Sequence, residues 1–241
     1  MKDYLIVIPA RYNSSRFPGK PLVDILGKSM VKRVWEKCIK ALNPDNVIIA
    51  TDDKRISDHC MQENMNVIMT SKECLTGTDR IFEVSEKIKS KFYINVQGDE
   101  PLISSEDIIK VINASKNDPN AIINGMCLIY TEEDFNNPNI PKVVVDTNKN
   151  LLFMSRAAIP TNKKKLFVSA YKQVCIYAFP ALSLKKYGSA KSKTPIEKIE
   201  DIEILRFLEL GLKVKMIEVS DSSIAVDIPE DLDKVIASLN E

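Results

Sequence analysis

Four short apolar runs separated by amphipathic stretches constrain the fold of this chain more than any single motif does. Residues 4–8, 47–50, 66–69 and 92–96 are four or five residues long and mostly apolar, rich in Val and Ile in three of them. Such runs read as strands buried on both faces. Between them lie helical patterns at residues 29–42, 55–63 and 79–89, and another follows at 105–115. Strand–helix alternation builds a mostly parallel sheet with right-handed crossovers and helices on both faces, so the expected class is α/β. Ligands of such sheets sit beyond the carboxyl ends of the strands. That singles out four loops, at residues 9–20, 51–53, 70–80 and 97–102.

From Ala121 the pattern changes. Residues 122–130, 142–146 and 151–155 read as strands without long helices between them, an antiparallel β excursion over about 121–170 and a candidate surface for pairing with a second subunit. Residues 162–165, Asn-Lys-Lys-Lys, read as a solvated loop. A strand returns at 172–179, with a helix from Pro180 to about Lys186. Thr194-Pro195-Ile196-Glu197 then starts a helix, with Thr as N-cap, Pro at the first helical position and Glu closing a capping box. At ~100° per residue, Ile196, Ile199, Ile202 and Phe207 define one apolar arc with Glu203 and Arg206 inside it. Charges on a buried face must pair or meet a polar ligand. A mutual i,i+3 ion pair is one solution, and Glu203 is the candidate ligand contact. A strand at 213–219 follows, and Pro229 opens a last helix ending near Leu239. The 241 residues are expected to form a single domain carrying one insertion.

The 34 basic and 33 acidic residues nearly cancel. No global field draws nucleic acid or an anionic membrane, so an anion site has to be local. No apolar run approaches the ~20 residues of a membrane span, and the first residues have no signal-peptide layout. Cys38, Cys60, Cys74, Cys127 and Cys175 are odd in number and lack metal-knuckle or redox spacing. They read as reduced, mostly buried thiols of a cytoplasmic protein. His59 is the single histidine, which argues against His-based metal sites and Ser-His-Asp catalysis.

The loop after the first strand carries the first chemistry: Ile8-Pro9-Ala10-Arg11-Tyr12-Asn13-Ser14-Ser15-Arg16-Phe17-Pro18-Gly19-Lys20-Pro21-Leu22. Pro18 and Pro21 forbid helix until Pro21 is passed, and the loop's backbone N–H groups and cations suit a polyphosphate. Asn95-Val96-Gln97-Gly98-Asp99-Glu100-Pro101 closes a strand with a carboxylate. Val226-Asp227-Ile228-Pro229 repeats that layout, with residues 224–226 read as a strand end and a poor cap, Ile228, before the helix. Two carboxylates and a basic loop are the parts of metal-assisted transfer at a phosphate, with Asp99 and Asp227 as Mg²⁺ ligands. Gly27-Lys28-Ser29 looks like the end of a P-loop, but its first glycine position is Leu22, and G-x-G-x-x-G is absent.

These segments, with Thr51-Asp52-Asp53, Thr76-Gly77-Thr78-Asp79-Arg80, Phe153-Met154-Ser155-Arg156, Ile176-Tyr177-Ala178-Phe179 and Glu203-Ile204-Leu205-Arg206, occur in order along nearly the whole chain. Their arrangement resembles the sugar-acid cytidylyltransferases, the CMP-Kdo synthetase family. The resemblance implies a Rossmann-like, Mg²⁺-dependent homodimeric transferase that joins CTP to a 3-deoxy-2-ulosonic acid. It implies that Ala10, Arg11, Ser14 and Lys20 hold CTP, with Arg11 and Lys20 on its phosphates. Thr76, Gly77, Thr78, Arg80 and Gln97 would contact base and ribose, Asp99 and Asp227 the metal, and Arg156 the sugar carboxylate. Lys20, Arg11, Asp99 and Asp227 would form the catalytic set, and Gln173, Tyr177, Glu203 and Ile204 would join Arg156 around the sugar acid. Two positions depart from the family pattern: Gln173 stands where His is usual, with Cys175 replacing Gly, and Ile204 stands where Gln is usual. They keep open a different sugar acid, amino-substituted or capsule-specific, beside a nucleotide-binding homologue without turnover. The implied partners are CTP and the sugar acid, with no nucleic acid and no membrane insertion.

Overall fold

The computed structural model describes residues 1–14 and 16–240; Ser15, in the basic loop, and Glu241 lie outside the described residues. The chain divides into two compact units. One comprises Met1–Lys110 and the chain from Ser222 onward, the other Val111–Asp221.

In the first unit β1 (Lys2–Ala10) leads through a small antiparallel hairpin, β2 (Asp24–Ile25) and β3 (Lys28–Ser29), into α1 (Met30–Ala41). There follow β4 (Val47–Thr51), α2 (Lys54–Gln62), β5 (Val67–Met69), α3 (Gly77–Lys87), β6 (Ser90–Val96) and the start of α4 (Ser105–Asn117). The strands lie in the order β6-β1-β4-β5, and every neighbouring pair is parallel. Ile6 sits opposite Val47 on one side and Ile94 on the other. Leu5, Ile6, Val7 and Ile8 are all buried, the unbroken burial expected of a parallel strand covered on both faces. The helices begin where side chains cap them. Ser29, Asp53 and Thr76 accept from the backbone N–H groups of Lys32, Arg55 and Asp79, satisfying donors that the first turn leaves free. The hairpin of β2 and β3 was not among the expected elements, and helical turning begins at Lys20, one residue before Pro21, as a 3₁₀ turn over Lys20–Leu22.

The second unit holds the antiparallel excursion. β7 (Ile122–Leu128) is followed by the short α5 (Glu132–Asn136), then β8 (Lys142–Val145) and β9 (Leu151–Ser155), which pair antiparallel. β10 (Tyr171–Pro180) runs antiparallel to both β7 and β8. It is followed by α6 (Ala181–Ser189), α7 (Pro195–Glu200), α8 (Ile204–Glu209) and β11 (Val214–Glu218), which returns parallel to β7. The capping box at Thr194 and Glu197 is present.

The helix after Thr194, however, is two helices. Asp201 has φ of 52° and ends α7, so the expected single apolar arc is broken. Ile196 and Ile199 face solvent, at 39 % and 83 % exposure. Arg206 is fully buried, and Glu197, nine residues back, meets its charge through contacts of 2.6 and 2.7 Å. Its guanidinium also lies over the Tyr187 ring, 3.9 Å from the centroid.

The C-terminal segment of the first unit corrects two further expectations. Residues 224–226 make no strand ladder. Instead Val226 packs with Ile25, Met30 and Val235 in one apolar cluster, and its N–H donates to Asp99 O at 2.9 Å. The last helix, α9 (Asp231–Asn240), starts two residues after Pro229. Asp231 turns back to accept the N–H groups of Asp227 and Ile228, which explains how Ile228 can occupy a place where a capping side chain was expected. Cys38, Cys60 and Cys127 are buried, Cys74 and Cys175 half-buried, and none of the five is in a disulfide. Among the described residues no helix is long and apolar enough to cross a membrane.

Candidate active site

In the first unit two acids far apart in the sequence converge on one ammonium. The basic loop folds back so that Gly19 N–H donates to Tyr12 O at 2.8 Å. Gly19 has φ of 74°, where an L side chain is strained, and a Cβ there would press on the Tyr12 ring at 3.0 Å, so both the backbone and the space favour glycine. The 3₁₀ turn that follows directs Lys20 inward. Its Nζ donates to Asp99 Oδ2 at 2.6 Å and to Val226 O at 2.8 Å, and lies 3.5 Å from Asp227 Oδ1. Arg16 pairs with the same Asp227 oxygen at 3.0 Å.

Each acid is delivered by its own backbone device. Gly98 lets the loop after β6 lie against β1: a Cβ there would stand 2.8 Å from Pro9 O. Asp99 follows directly. The Val226 N–H bond to Asp99 O and the Asp231 carboxylate together set the main chain around Asp227. Burial pushes the Asp231 carboxyl up, but the N–H bonds from Asp227 and Ile228 and the Lys234 charge outweigh it and leave its pKa below the usual aspartate value.

The α3 N-terminus meets the loop after β6, since a Cβ on Gly77 would be 3.4 Å from Gln97 Nε2. Gln97 and Gly77, next to the capping Thr76, are thereby brought together, and Thr78 is buried. Ala10 is buried at the end of β1, Arg11 is exposed, and Ser14 accepts from Phe17 N–H at 3.4 Å. Arg80 departs from the expected base or ribose contact. It is 4 % exposed, and its guanidinium is turned to Thr70 Oγ1 and, at 3.4 Å, to Asp52. It braces the loops after β4 and β5 instead. Asp53 caps α2 and pairs with Arg55, whose hydrogen bond holds the carboxyl below its usual range. The Arg55 guanidinium in turn covers the Tyr12 ring at 3.3 Å.

The second unit holds the residues expected around a sugar acid. Arg156 donates from Nε, Nη1 and Nη2 to the carbonyls of Glu200, Pro138 and Asp201, which leaves two of its five N–H groups for another acceptor. Gln173 Nε2 donates to Tyr177 Oη and to Asn124 Oδ1, both at 3.0 Å. Tyr177 stacks on Phe179 and Phe179 on Phe207, at 5.5 and 5.1 Å, tying β10 to α8. Glu203 sits half-buried at the start of α8. Ile204 is 1 % exposed, so the expectation that it lines the sugar is corrected: it is a core side chain.

Sequence reading missed Asn124 and Lys142, both 0 % exposed. Lys142 Nζ donates to Asn137 O, and burial, then the nearby Arg156 charge, push its pKa down, while Glu200 opposes the shift. A lysine heading the apolar run Lys142-Val143-Val144-Val145 was the available signal.

Residues 5–217 match the cytidylyltransferase family model. The chain is 40 % identical over 240 residues to the mitochondrial 3-deoxy-manno-octulosonate cytidylyltransferase of Arabidopsis thaliana, covering 98 % of this chain and 82 % of that one. It is 36 % identical to the Escherichia coli 3-deoxy-manno-octulosonate cytidylyltransferase, covering 98 % and 96 %. The solved structure of CMP:2-keto-3-deoxy-manno-octonic acid synthetase complexed with CTP superposes with a TM-score of 0.92 at 35 % identity, over 99 % of both chains. A 4-diphosphocytidyl-2C-methyl-D-erythritol synthase from Anaerococcus prevotii, at 17 % identity and a TM-score of 0.64, shares the fold.

Proposed function

Because the chain belongs to the 3-deoxy-manno-octulosonate cytidylyltransferase family, we propose that it joins CTP to 3-deoxy-manno-octulosonate, giving the CMP-sugar and diphosphate. The observation that carries this reading is the convergence of Asp99, Asp227 and Lys20 beside the basic loop. In the reaction the anomeric oxygen forms a bond to the α-phosphorus, the bond from that phosphorus to the bridging oxygen breaks, and diphosphate leaves.

Lys20 and Arg11 bind the triphosphate and offset the charge that grows on the departing diphosphate. Gly98 lies against Pro9 and sets the loop that carries Asp99, and the Gln97 amide, lying against Gly77, would meet the nucleoside. Arg156 offers its two remaining N–H groups to the sugar carboxylate, a planar donor for a planar acceptor. Arg80 positions the nucleotide loops without touching the nucleotide.

The acid pair also fits Mg²⁺. Asp99 and Asp227 already share one cation, the Lys20 ammonium. Among the described residues no cluster of three or more His, Cys, Asp or Glu is placed to hold a metal. Two carboxylates with room for water and phosphate oxygens suit this ion, which rarely takes an all-protein cage. Bound there, Mg²⁺ would neutralise phosphate charge and lower the pKa of the attacking hydroxyl.

A homodimer completes the reading. The second unit exposes Leu152, Leu166 and Val168 at 59 %, 52 % and 75 %, apolar surface that self-association would cover. Light scattering after gel filtration tests this, and a monomeric mass would reject it.

The activity test is diphosphate release from CTP, Mg²⁺ and a panel of sugar acids. Release with 3-deoxy-manno-octulosonate supports the proposal. Release only with another acid would reassign the substrate, and CTP binding without release from any acid would leave a non-catalytic homologue.

A further inference from the structure

Resting on the reading that Gln173 faces the sugar acid, we propose that Asn124 is a positioning residue that decides which end of the Gln173 amide the substrate meets. The argument starts from an irregularity in the ladder between β7 and β10. Val174 pairs with Gly125, but the next partner of Asn124 is Tyr177, so the β10 strand bulges between them. A bulge leaves carbonyls without ladder donors. Asn124 supplies them: its Nδ2 donates to Val174 O and to Ile176 O, both at 3.0 Å. The neighbouring glycine is part of the same device, since a Cβ on Gly125 would lie 2.8 Å from the Ile176 side chain and 3.3 Å from Val174 O.

Those two bonds settle the Asn124 amide. With both of its N–H groups committed to carbonyls, Oδ1 is the only atom it can turn toward Gln173. Gln173 must therefore present nitrogen there, and its Nε2 donates to Asn124 Oδ1 and to Tyr177 Oη. Both Gln173 donors are then used. Its Oε1 has no hydrogen bond among the described residues and is not a buried atom. Position 173 thus offers an acceptor, and the substrate group that meets it has to donate, as a hydroxyl does.

The experiment measures KM for 3-deoxy-manno-octulosonate and for CTP separately in Gln173→Met, Asn124→Ala and the double variant. Gln173→Met removes the acceptor; Asn124→Ala lets the amide turn over. Each single change is expected to raise the sugar-acid KM roughly five- to tenfold, the scale of one neutral hydrogen bond, with CTP KM within about twofold. The double variant should be no worse than the worse single one, because both act through one oxygen. Additive losses, or an equal rise in CTP KM, would overturn the proposal, because a general structural defect predicts them. Should Asn124→Ala fail to fold, ¹⁵N-labelled wild-type protein decides. Exchange of the Gln173 side-chain amide protons is expected to be slowed at least about tenfold against free glutamine, and exchange at the free rate would overturn the lock. An unchanged sugar-acid KM in Gln173→Met, with diphosphate still released, would remove residue 173 from the sugar while leaving the transferase reading intact. Loss of release in the wild type would sink that reading itself.

Discussion

Replacing Lys20 by Met separates its two jobs, counter-ion to the acid pair and ligand of the triphosphate. The contacts at 2.6 and 3.5 Å put the two carboxylate oxygens within about 6 Å of each other. At that distance two unit charges repel by about 3 kcal/mol if the effective dielectric constant is ~20. The Asp99 and Asp227 side chains are 29 % and 42 % exposed, so solvent screens much of this. A net loss of about 1–2 kcal/mol remains, which in a chain of this length lowers the melting temperature by roughly 3–6 °C.

Differential scanning fluorimetry without nucleotide reads the effect, and millimolar Mg²⁺ gives it a sign. In the variant a dication takes over the lost neutralisation, so Mg²⁺ should restore most of the melting temperature. In the wild type Lys20 and Arg16 together already offset the two charges, and Mg²⁺ alone should change it little. Equal stabilisation of both proteins by Mg²⁺, or none in the variant, would refute the idea that these carboxylates form one cation site. In the activity assay the same variant should lose about 10²–10³-fold in kcat/KM, as removal of a charge-stabilising donor does.

Glu197→Gln takes from the buried Arg206 the carboxylate it contacts at 2.6 and 2.7 Å, and breaking such a pair costs about 3–5 kcal/mol. Thermal melting should fall by roughly 10 °C, with CTP affinity of the folded protein, measured calorimetrically, unchanged. The lowered pKa of Asp231 means that its stabilisation is complete above the usual aspartate value of 3.8 and is lost as pH falls through the lower folded value. Acid titration of the melting temperature should therefore drop more steeply below about pH 4 in the wild type than in Asp231→Asn, and parallel curves would disprove the linkage. Gly98→Ala forces a Cβ to 2.8 Å from Pro9 O, displacing Asp99; kcat/KM should fall at least about tenfold while circular dichroism stays that of the wild type.

Most of the scaffold was legible because its signals are local. β1, β4 and β6 are largely buried on both faces, so each appears as a continuous apolar run, whereas β5, at the end of the sheet, is half-buried with Met69 exposed. Their helices start within two residues of the expected positions because Ser29, Asp53 and Thr76 are side-chain caps visible in the sequence. The errors fall where tertiary packing overrides a local pattern. Ile224-Ala225-Val226 looks like a strand, yet its apolar side chains are spent in a cluster with Ile25, Met30 and Val235. The 3.6-residue period runs unbroken through Asp201, whose left-handed conformation carries no periodic signature in a residue other than glycine. Only the structure shows that Arg206 meets Glu197 across the resulting break.

The site was less legible, because its parts meet through closure of the chain rather than through spacing. Nothing near Lys20 in the sequence says that its ammonium ends between Asp99 and Asp227; the family likeness implied only that the acids share a metal and that Lys20 meets phosphate. Asn124-Gly125 shows the limit more sharply. Asn-Gly within an apolar run is the strongest short signal for a hairpin turn, yet here it lies in the middle of β7. The pair is tolerated there because each residue does something the strand partner demands. The asparagine amide replaces ladder donors that the bulge in β10 has lost. The glycine leaves the space that the Ile176 side chain fills. A turn signal in mid-strand is thus evidence of an irregular partner, and the residues flanking that irregularity, Gln173 and Tyr177 here, are the ones whose polar atoms it aims.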